Sequence, residues 1–258
     1  MTDSLPDLRG RRVLLGVCGG IAAYKAAELT RRLVEAGAEV QVVMTENAAR
    51  FVGAATFQAL SGRPVRDSLW DAQAESHMGH IELARWAELI LVAPASANTL
   101  ARLAHGLADD LLATLVLAGD RPMAVAPAMN RLMWNARATQ ATLAILQARG
   151  AHVLGPGAGF QACGETGEGR MREPSELRDD VARLLSTGGP LAGRHAVVTA
   201  GPTREPIDPV RFITNRSSGK QGHAIASALA ALGAETVLVS GPTGLPDPAG
   251  LTVVHVES

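Results

Sequence analysis

The chain has 258 residues, enough for one large domain or two ordinary ones. Hydrophobic residues make up 47% and the formal charge is −1, which gives no general pull toward nucleic acid or an anionic membrane; an aromatic content of 3% argues against a base-stacking surface. Two cysteines, Cys18 and Cys163, cannot build a disulfide framework and point to a reducing, cytoplasmic setting.

The amino-terminal MTDSLPDLRGRR has no apolar core ahead of a cleavage site, and runs such as LILVAPASA are too short to span a bilayer. Short β-branched runs then alternate with longer helical patterns. RRVLLGVC (11–18) reads as a strand, and a helix from about Ile21 to Ala36 follows, ended by Gly37. EVQVVMT (39–45), ELILVAP (88–94) and PMAVAPAM (122–129) are further strands, with one helical stretch, ANTLARLAHGLADDLLATLVLA, between the last two. A helix over 136–149, a strand HVLGP (152–156) and a helix over 174–186 with Pro174 near its first turn complete this part. The strands are apolar throughout rather than alternating, as expected when both faces of a parallel sheet are covered. The fold class is α/β, a doubly wound parallel sheet.

STGGPLAG (186–193) reads as a linker, dividing the chain into 1–190 and 191–258. HAVVTAG (195–201), a turn-rich stretch, a helix QGHAIASALAALG and the strands ETVLVSG and LTVVHVE follow. About three strands and one helix are too few to cover both faces of a parallel sheet. The expectation is the incomplete start of a second α/β domain.

Several strand ends carry polar or glycine-rich segments, where ligands bind in open α/β sheets. GVCGGIAAYK (16–25) fits an ordinary tight turn or a mononucleotide phosphate site such as that of FMN, its glycines letting backbone N–H groups approach an anion. It is neither G-x-G-x-x-G nor a Walker loop. Thr45 ends the second strand, where a hydroxyl suits phosphate better than ribose. PASANT (94–99) offers Ser96, Asn98 and Thr99, although Ser96 or Asn98 could simply cap the next helix. PAMNRLMW (127–134) sets Asn130 between Met129 and Met133, and a buried amide there needs a partner. In SHMGHIELARWAEL (76–89), His77 and His80 lack a third metal ligand, so no metal is expected; a single His acting as a base fits better, with His80 the more constrained. FQACGETGEGRM (160–171) reads as a glycine-rich loop, an unusual place for a thiol.

Taken together, GGIAAYK, GHIEL, PASANT, PAMNRLMW and ACGETGEGRM, in this order and at these intervals, resemble the flavin-dependent cysteine decarboxylases. Among these the likeness is to the decarboxylase half of the bifunctional proteins of coenzyme A biosynthesis, over approximately residues 10–185. The resemblance implies a flavodoxin- or Rossmann-like flavoprotein that binds FMN and converts 4′-phosphopantothenoylcysteine to 4′-phosphopantetheine. The substrate thiol is oxidised to a thioaldehyde, CO2 leaves with its electrons moving onto sulfur, and the product is re-reduced. It implies His80 as base, Asn130 as the group holding the substrate carboxylate, and Cys163, on a mobile flap, as the acid that protonates carbon. Met129, Arg170 and Met171 are implied substrate contacts. Cys18, Gly19, Gly20, Ile21, Thr45, Ser96, Asn98 and Thr99 are implied FMN contacts. The family usually has serine at the position of Cys18, and a thiol is a weaker donor to a phosphate.

TAGPTREPIDPVRFITNRSSGKQG (199–222) is similar to the start of phosphopantothenate–cysteine ligase, with Asn215, Ser217, Ser218, Gly219 and Lys220 as its remnant. CTP and Mg2+ would serve only an intact ligase, and ligase activity is not expected of this chain. The resemblance also implies a homo-oligomer, a trimer or ring of trimers. Peptidyl-cysteine decarboxylation, flavin prenyl transfer and a flavin-binding regulatory role are the alternatives. No nucleic-acid or membrane partner is expected.

Overall fold

The computed structural model describes residues 7–70, 79–162, 164–186, 191, 193–248 and 251–258. The chain divides into two compact units, Met1–Ala182 and Arg183–Ser258. The first is built on five parallel strands, β1 (Arg12–Val17), β2 (Glu39–Met44), β3 (Leu89–Ala95), β4 (Met123–Pro127) and β5 (His152–Val153), in the order β2-β1-β3-β4-β5. Around them lie α1 (Ala23–Glu35), a 3-10 turn (Glu46–Arg50), α2 (Ala54–Ser61), α3 (His80–Trp86), α4 (Ala97–His105), α5 (Leu111–Ala118), α6 (Arg131–Asn135), α7 (Arg137–Ala148) and α8 (Pro174–Ser186). The expected doubly wound sheet is what forms. β3 is buried at all seven positions, because its Leu, Ile and Val side chains meet helices on both faces. Leu14, Ile90, Val92 and Val125 pack with Leu100, Leu112 and Leu143 in one apolar cluster, each large side chain contributing about 1.5–3 kcal/mol. The strand order reverses between β1 and β3, which opens a crevice at their carboxyl ends.

Three local readings are corrected. The stretch 97–118 is not one helix: Gly106, at φ 68°, closes α4 with its N–H on the Arg102 carbonyl, and Asp110 caps α5 by accepting from the Ala113 N–H at 2.7 Å. Both halves keep a helical apolar period, so the pattern alone hid the break. The strand at 152–156 is only two residues long, since Pro156 has no N–H for the ladder. The glycine-rich stretch is no plain loop. Gly157–Phe160 (β6) and Thr166–Arg170 (β7) form an antiparallel hairpin, with Gly159 opposite Gly167.

In the second unit β8 (His195–Ala200), β11 (Glu235–Ser240) and β12 (Thr252–His255) form a parallel sheet in the order β12-β11-β8, with α9 (Lys220–Ala231) packed on β8 and β11. The stretch read as turns contains a further antiparallel pair, β9 (Arg204–Pro206) with β10 (Phe212–Thr214). Side chains of β8 alternate between exposed and half-buried, the pattern of a sheet covered on one face. Among the described residues no helix is long and apolar enough to cross a membrane.

Candidate active site

The carboxyl ends of β1, β2, β3 and β4 bring four of the singled-out segments to one edge of the sheet. The β1–α1 loop is held from below, with the Cys18 N–H donating to the Pro94 carbonyl at 3.2 Å. A Cβ on Gly19 would lie 2.5 Å from the Asn47 Cβ and 2.8 Å from its backbone carbonyl carbon, so only glycine lets the loop close against the 3-10 turn. Gly20 instead faces open space. Thr45 is half-buried, its N–H bonded to the Val17 carbonyl at 3.0 Å. Ser96 caps α4 by accepting from the Thr99 N–H at 3.2 Å and donates to Thr99 Oγ1 at 3.1 Å, while Asn98 is exposed beside it.

Two expected FMN contacts differ in placement. Cys18 is 1% and Thr99 3% exposed. The thiol packs in the apolar cluster and hydrogen-bonds with Thr99 and Ser96, so both side chains support the loop from beneath rather than lining its surface. Burial pushes the Cys18 thiol pKa up, partly opposed by those hydrogen bonds, which keeps it neutral. What remains at the surface is a glycine loop, Ile21, Thr45, Ser96 and Asn98. These are neutral donors at a sheet switch point, with Gly20 leaving an open cradle, and they fit a mononucleotide such as FMN.

Beside this edge lies a cavity of about 380 Å³ with three walls. Gly20, Ile21, Tyr24 and Lys25 come from the start of α1, Met129 and Asn130 from the end of β4, and Phe160, Gln161, Arg170 and Met171 from the hairpin. The structure thus brings Gly20 and Ile21, expected at FMN, into one cavity wall with Met129, Asn130, Arg170 and Met171, expected at the substrate. A larger cavity, about 600 Å³, is lined by Met123 and His152, the first residues of β4 and β5, and so sits at the opposite edge, away from every candidate.

Asn130 is fixed in the cavity wall by its hydrogen bonds. Its Oδ1 accepts from the Leu132 N–H at 2.8 Å, capping α6. That bond decides the orientation of the amide, so Nδ2 carries the hydrogens outward, where it donates to Glu165 Oε2 at 2.7 Å. Gln161 anchors the hairpin: its Oε1 accepts from the Arg131 N–H at 3.1 Å and its Nε2 donates to the Glu168 carbonyl at 3.0 Å. The Met129 N–H donates to the Gly169 carbonyl at 2.9 Å. A Cβ on Gly169 (φ 131°) would lie 2.3 Å from the Met129 oxygen. Close approach is what this glycine provides.

His80 opens α3, which packs on α5, and it is not among the residues lining the cavity. Cys163 and His77 lie outside the described residues. Among the described residues no group of three His, Cys, Asp or Glu side chains could hold a metal. In the second unit Asn215 Oδ1 accepts from the Ser217 N–H at 3.2 Å, Ser218 is exposed, and Gly219, at φ 72°, precedes Lys220 at the start of α9. Lys25, Gln161 and Glu165 were not singled out by sequence. Lys25 occupies the end of GGIAAYK, Gln161 immediately precedes ACGETGEGRM and Glu165 lies within it, so membership of or proximity to a motif was the only signal.

Comparison with known proteins agrees with this arrangement. The family model described as Flavoprotein matches residues 1–186, and the model described as DNA/pantothenate metabolism flavoprotein C-terminal domain matches 191–258. The chain is 56% identical over 254 residues to the coenzyme A biosynthesis bifunctional protein CoaBC of Vibrio vulnificus strain YJ016, covering 98% of this chain and 63% of that protein. It is 52% identical over 242 residues to the protein of the same name from Escherichia coli strain K12, covering 94% and 60%. The chain therefore spans less than two thirds of the length of these curated relatives. A solved cysteine-to-serine mutant of PPC decarboxylase, complexed with pantothenoylaminoethenethiol, superposes with a TM-score of 0.59 at 36% identity, covering 67% of this chain and 97% of that one. The FMN binding protein AtHal3 gives a TM-score of 0.58 at 37% identity, covering 67% and 95%. With its family model spanning residues 1–186, the chain belongs to the flavoprotein family.

Proposed function

We propose that the chain is an FMN-dependent decarboxylase of 4′-phosphopantothenoylcysteine, acting in coenzyme A biosynthesis, with residues 1–190 as the decarboxylase domain and 191–258 as a ligase-like segment. The observation that carries the reading is the Asn130 amide, whose capping bond leaves only its hydrogens to offer in the wall of a cavity beside a glycine loop suited to FMN. Solved neighbours titled PPC decarboxylase and FMN binding protein support it.

Gly19, Gly20, Ile21, Thr45, Ser96 and Asn98 would hold FMN, whose chemistry when bound is to take two electrons from the substrate thiol and return them later. His80 accepts the thiol proton. Asn130 holds the carboxylate through Nδ2, while Met129, Arg170 and Met171 flank the substrate. When CO2 leaves, the electron pair of the broken C–C bond moves onto sulfur. Cys163 then protonates carbon. Ile21, Tyr24 and Phe160 line the cavity yet are 65%, 60% and 68% exposed. Such an apolar rim supports a homo-oligomer in which a second copy covers it.

The test is product analysis by mass with FMN-loaded chain and 4′-phosphopantothenoylcysteine. Wild type should release CO2 and 4′-phosphopantetheine, and Cys163→Ser should stop after CO2 loss, with the oxidised enethiol accumulating. Protein that binds FMN but leaves the substrate intact would sink the proposal.

A further inference from the structure

Asn130 presents its amide hydrogens to a carboxylate that belongs to the protein itself. Glu165, at the hairpin turn, accepts from Nδ2 at 2.7 Å, and Arg131 Nε stands 3.4 Å from the same oxygen. The contact is held by backbone as well as side chains. The Gln161 N–H donates to the Glu165 carbonyl at 2.7 Å, closing the turn, and Gln161 Oε1 accepts from the Arg131 N–H, tying that turn to the start of α6 beside the Asn130–Glu165 bond. The Glu165 side chain is 35% exposed, a position neither free in solvent nor sealed in the core.

We infer that Glu165 is a positioning residue that discriminates between carboxylated and decarboxylated ligands through Asn130. The inference rests on the proposed decarboxylation, in which Asn130 takes the substrate carboxylate. Two carboxylates on one NH2 group repel each other, as like charges sharing a site do. Arrival of the substrate carboxylate therefore weakens or displaces the Glu165 bond. Loss of CO2 moves the negative charge from the carboxylate oxygens to sulfur and vacates the amide. Glu165 then returns to Asn130, so the site holds the decarboxylated intermediate in preference to the substrate.

Two non-reacting probes separate the charge from the rest of the ligand. They are the oxygen analogue 4′-phosphopantothenoylserine and its carboxylate-free counterpart, 4′-phosphopantothenoylethanolamine. Their affinities are measured by titration calorimetry on the FMN-loaded full chain. Glu165→Gln keeps an oxygen that can accept from Asn130 but removes the charge. It should shift the affinity ratio toward the carboxylated probe by about tenfold, and Glu165→Ala should shift it the same way. A merely structural role would weaken both probes together. An unchanged ratio in both variants, with wild type still decarboxylating the natural substrate, overturns the inference alone. A wild type that neither decarboxylates that substrate nor binds the carboxylated probe overturns the proposed function, and the inference with it.

Discussion

Lys25 on α1 reaches the segment between β7 and α8: its Nζ, on a side chain 8% exposed, donates to the Met171 carbonyl at 3.1 Å and to Glu173 Oε1 at 2.7 Å. The first helix and the segment that follows the hairpin are thereby joined by one buried ammonium.

Replacing Lys25 with methionine keeps the apolar stem and removes both bonds. Glu173 is more than half exposed, so its share is screened by solvent. The larger loss is the buried carbonyl of Met171 left without this donor, which costs about 1–3 kcal/mol. Chemical denaturation should show a drop of that size. An unchanged midpoint would mean that water replaces the ammonium.

Asn130→Asp separates the two jobs of this residue. Aspartate caps a helix as well as asparagine does, so α6 should be retained. The outward donor becomes a like charge facing both Glu165 and the substrate carboxylate. Decarboxylation should fall by about 100-fold or more, the lost charged hydrogen bond and the new repulsion acting together. Turnover near the wild-type rate in a folded Asn130→Asp protein would remove this amide from carboxylate recognition.

Gly169→Ala places a methyl against the Met129 oxygen and in a backbone region that alanine disfavours. The strain, about 1–3 kcal/mol, should lift the hairpin from β4. FMN uptake, read from the visible absorbance band, should survive, because the glycine loop after β1 is untouched. Substrate turnover should not.

The Cys18 thiol carries a pH dependence. Its pKa in the folded chain is raised above the ordinary value of 9.0 by burial. The folded state therefore keeps the proton to higher pH than the unfolded state, and the stabilisation, complete below pH about 9, declines as pH rises above it. Cys18→Ser, which does not titrate there, should lose less stability between pH 8 and pH 10 in parallel denaturation series. It should also leave FMN affinity unchanged, since the side chain lies beneath the loop. Weakened FMN binding in that variant would restore the expected cofactor role of Cys18.

The parallel sheet was legible because Val, Leu and Ile fill whole strands such as β3, and only a doubly covered sheet requires that. The segments after β1, β3 and β4 were legible for a related reason: glycines, hydroxyls and an amide stood where such a sheet collects its ligands. The break at Gly106 was not, because apolar periodicity runs through it on both sides. Nor was the hairpin, where alternating glycines erased the period-2 signal that normally marks a strand. The Asn130–Glu165 and Lys25–Met171 bonds join residues 35 and 146 positions apart. No local pattern records such pairs. They exist only once the sheet has brought its loops to one edge.

The anchoring of the hairpin has a kinetic consequence. One side of the cavity is an extension of the sheet, fixed as soon as the core has formed. The other hangs on a handful of polar links, among them the Met129–Gly169, Gln161–Arg131 and Asn130–Glu165 bonds. Breaking so few links takes far less than unfolding the domain. A nucleotide seated on the fixed side can thus stay in place over many cycles while small molecules come and go on the other. In the proposed decarboxylase, that asymmetry would let a resident cofactor serve repeated turnovers without dissociating.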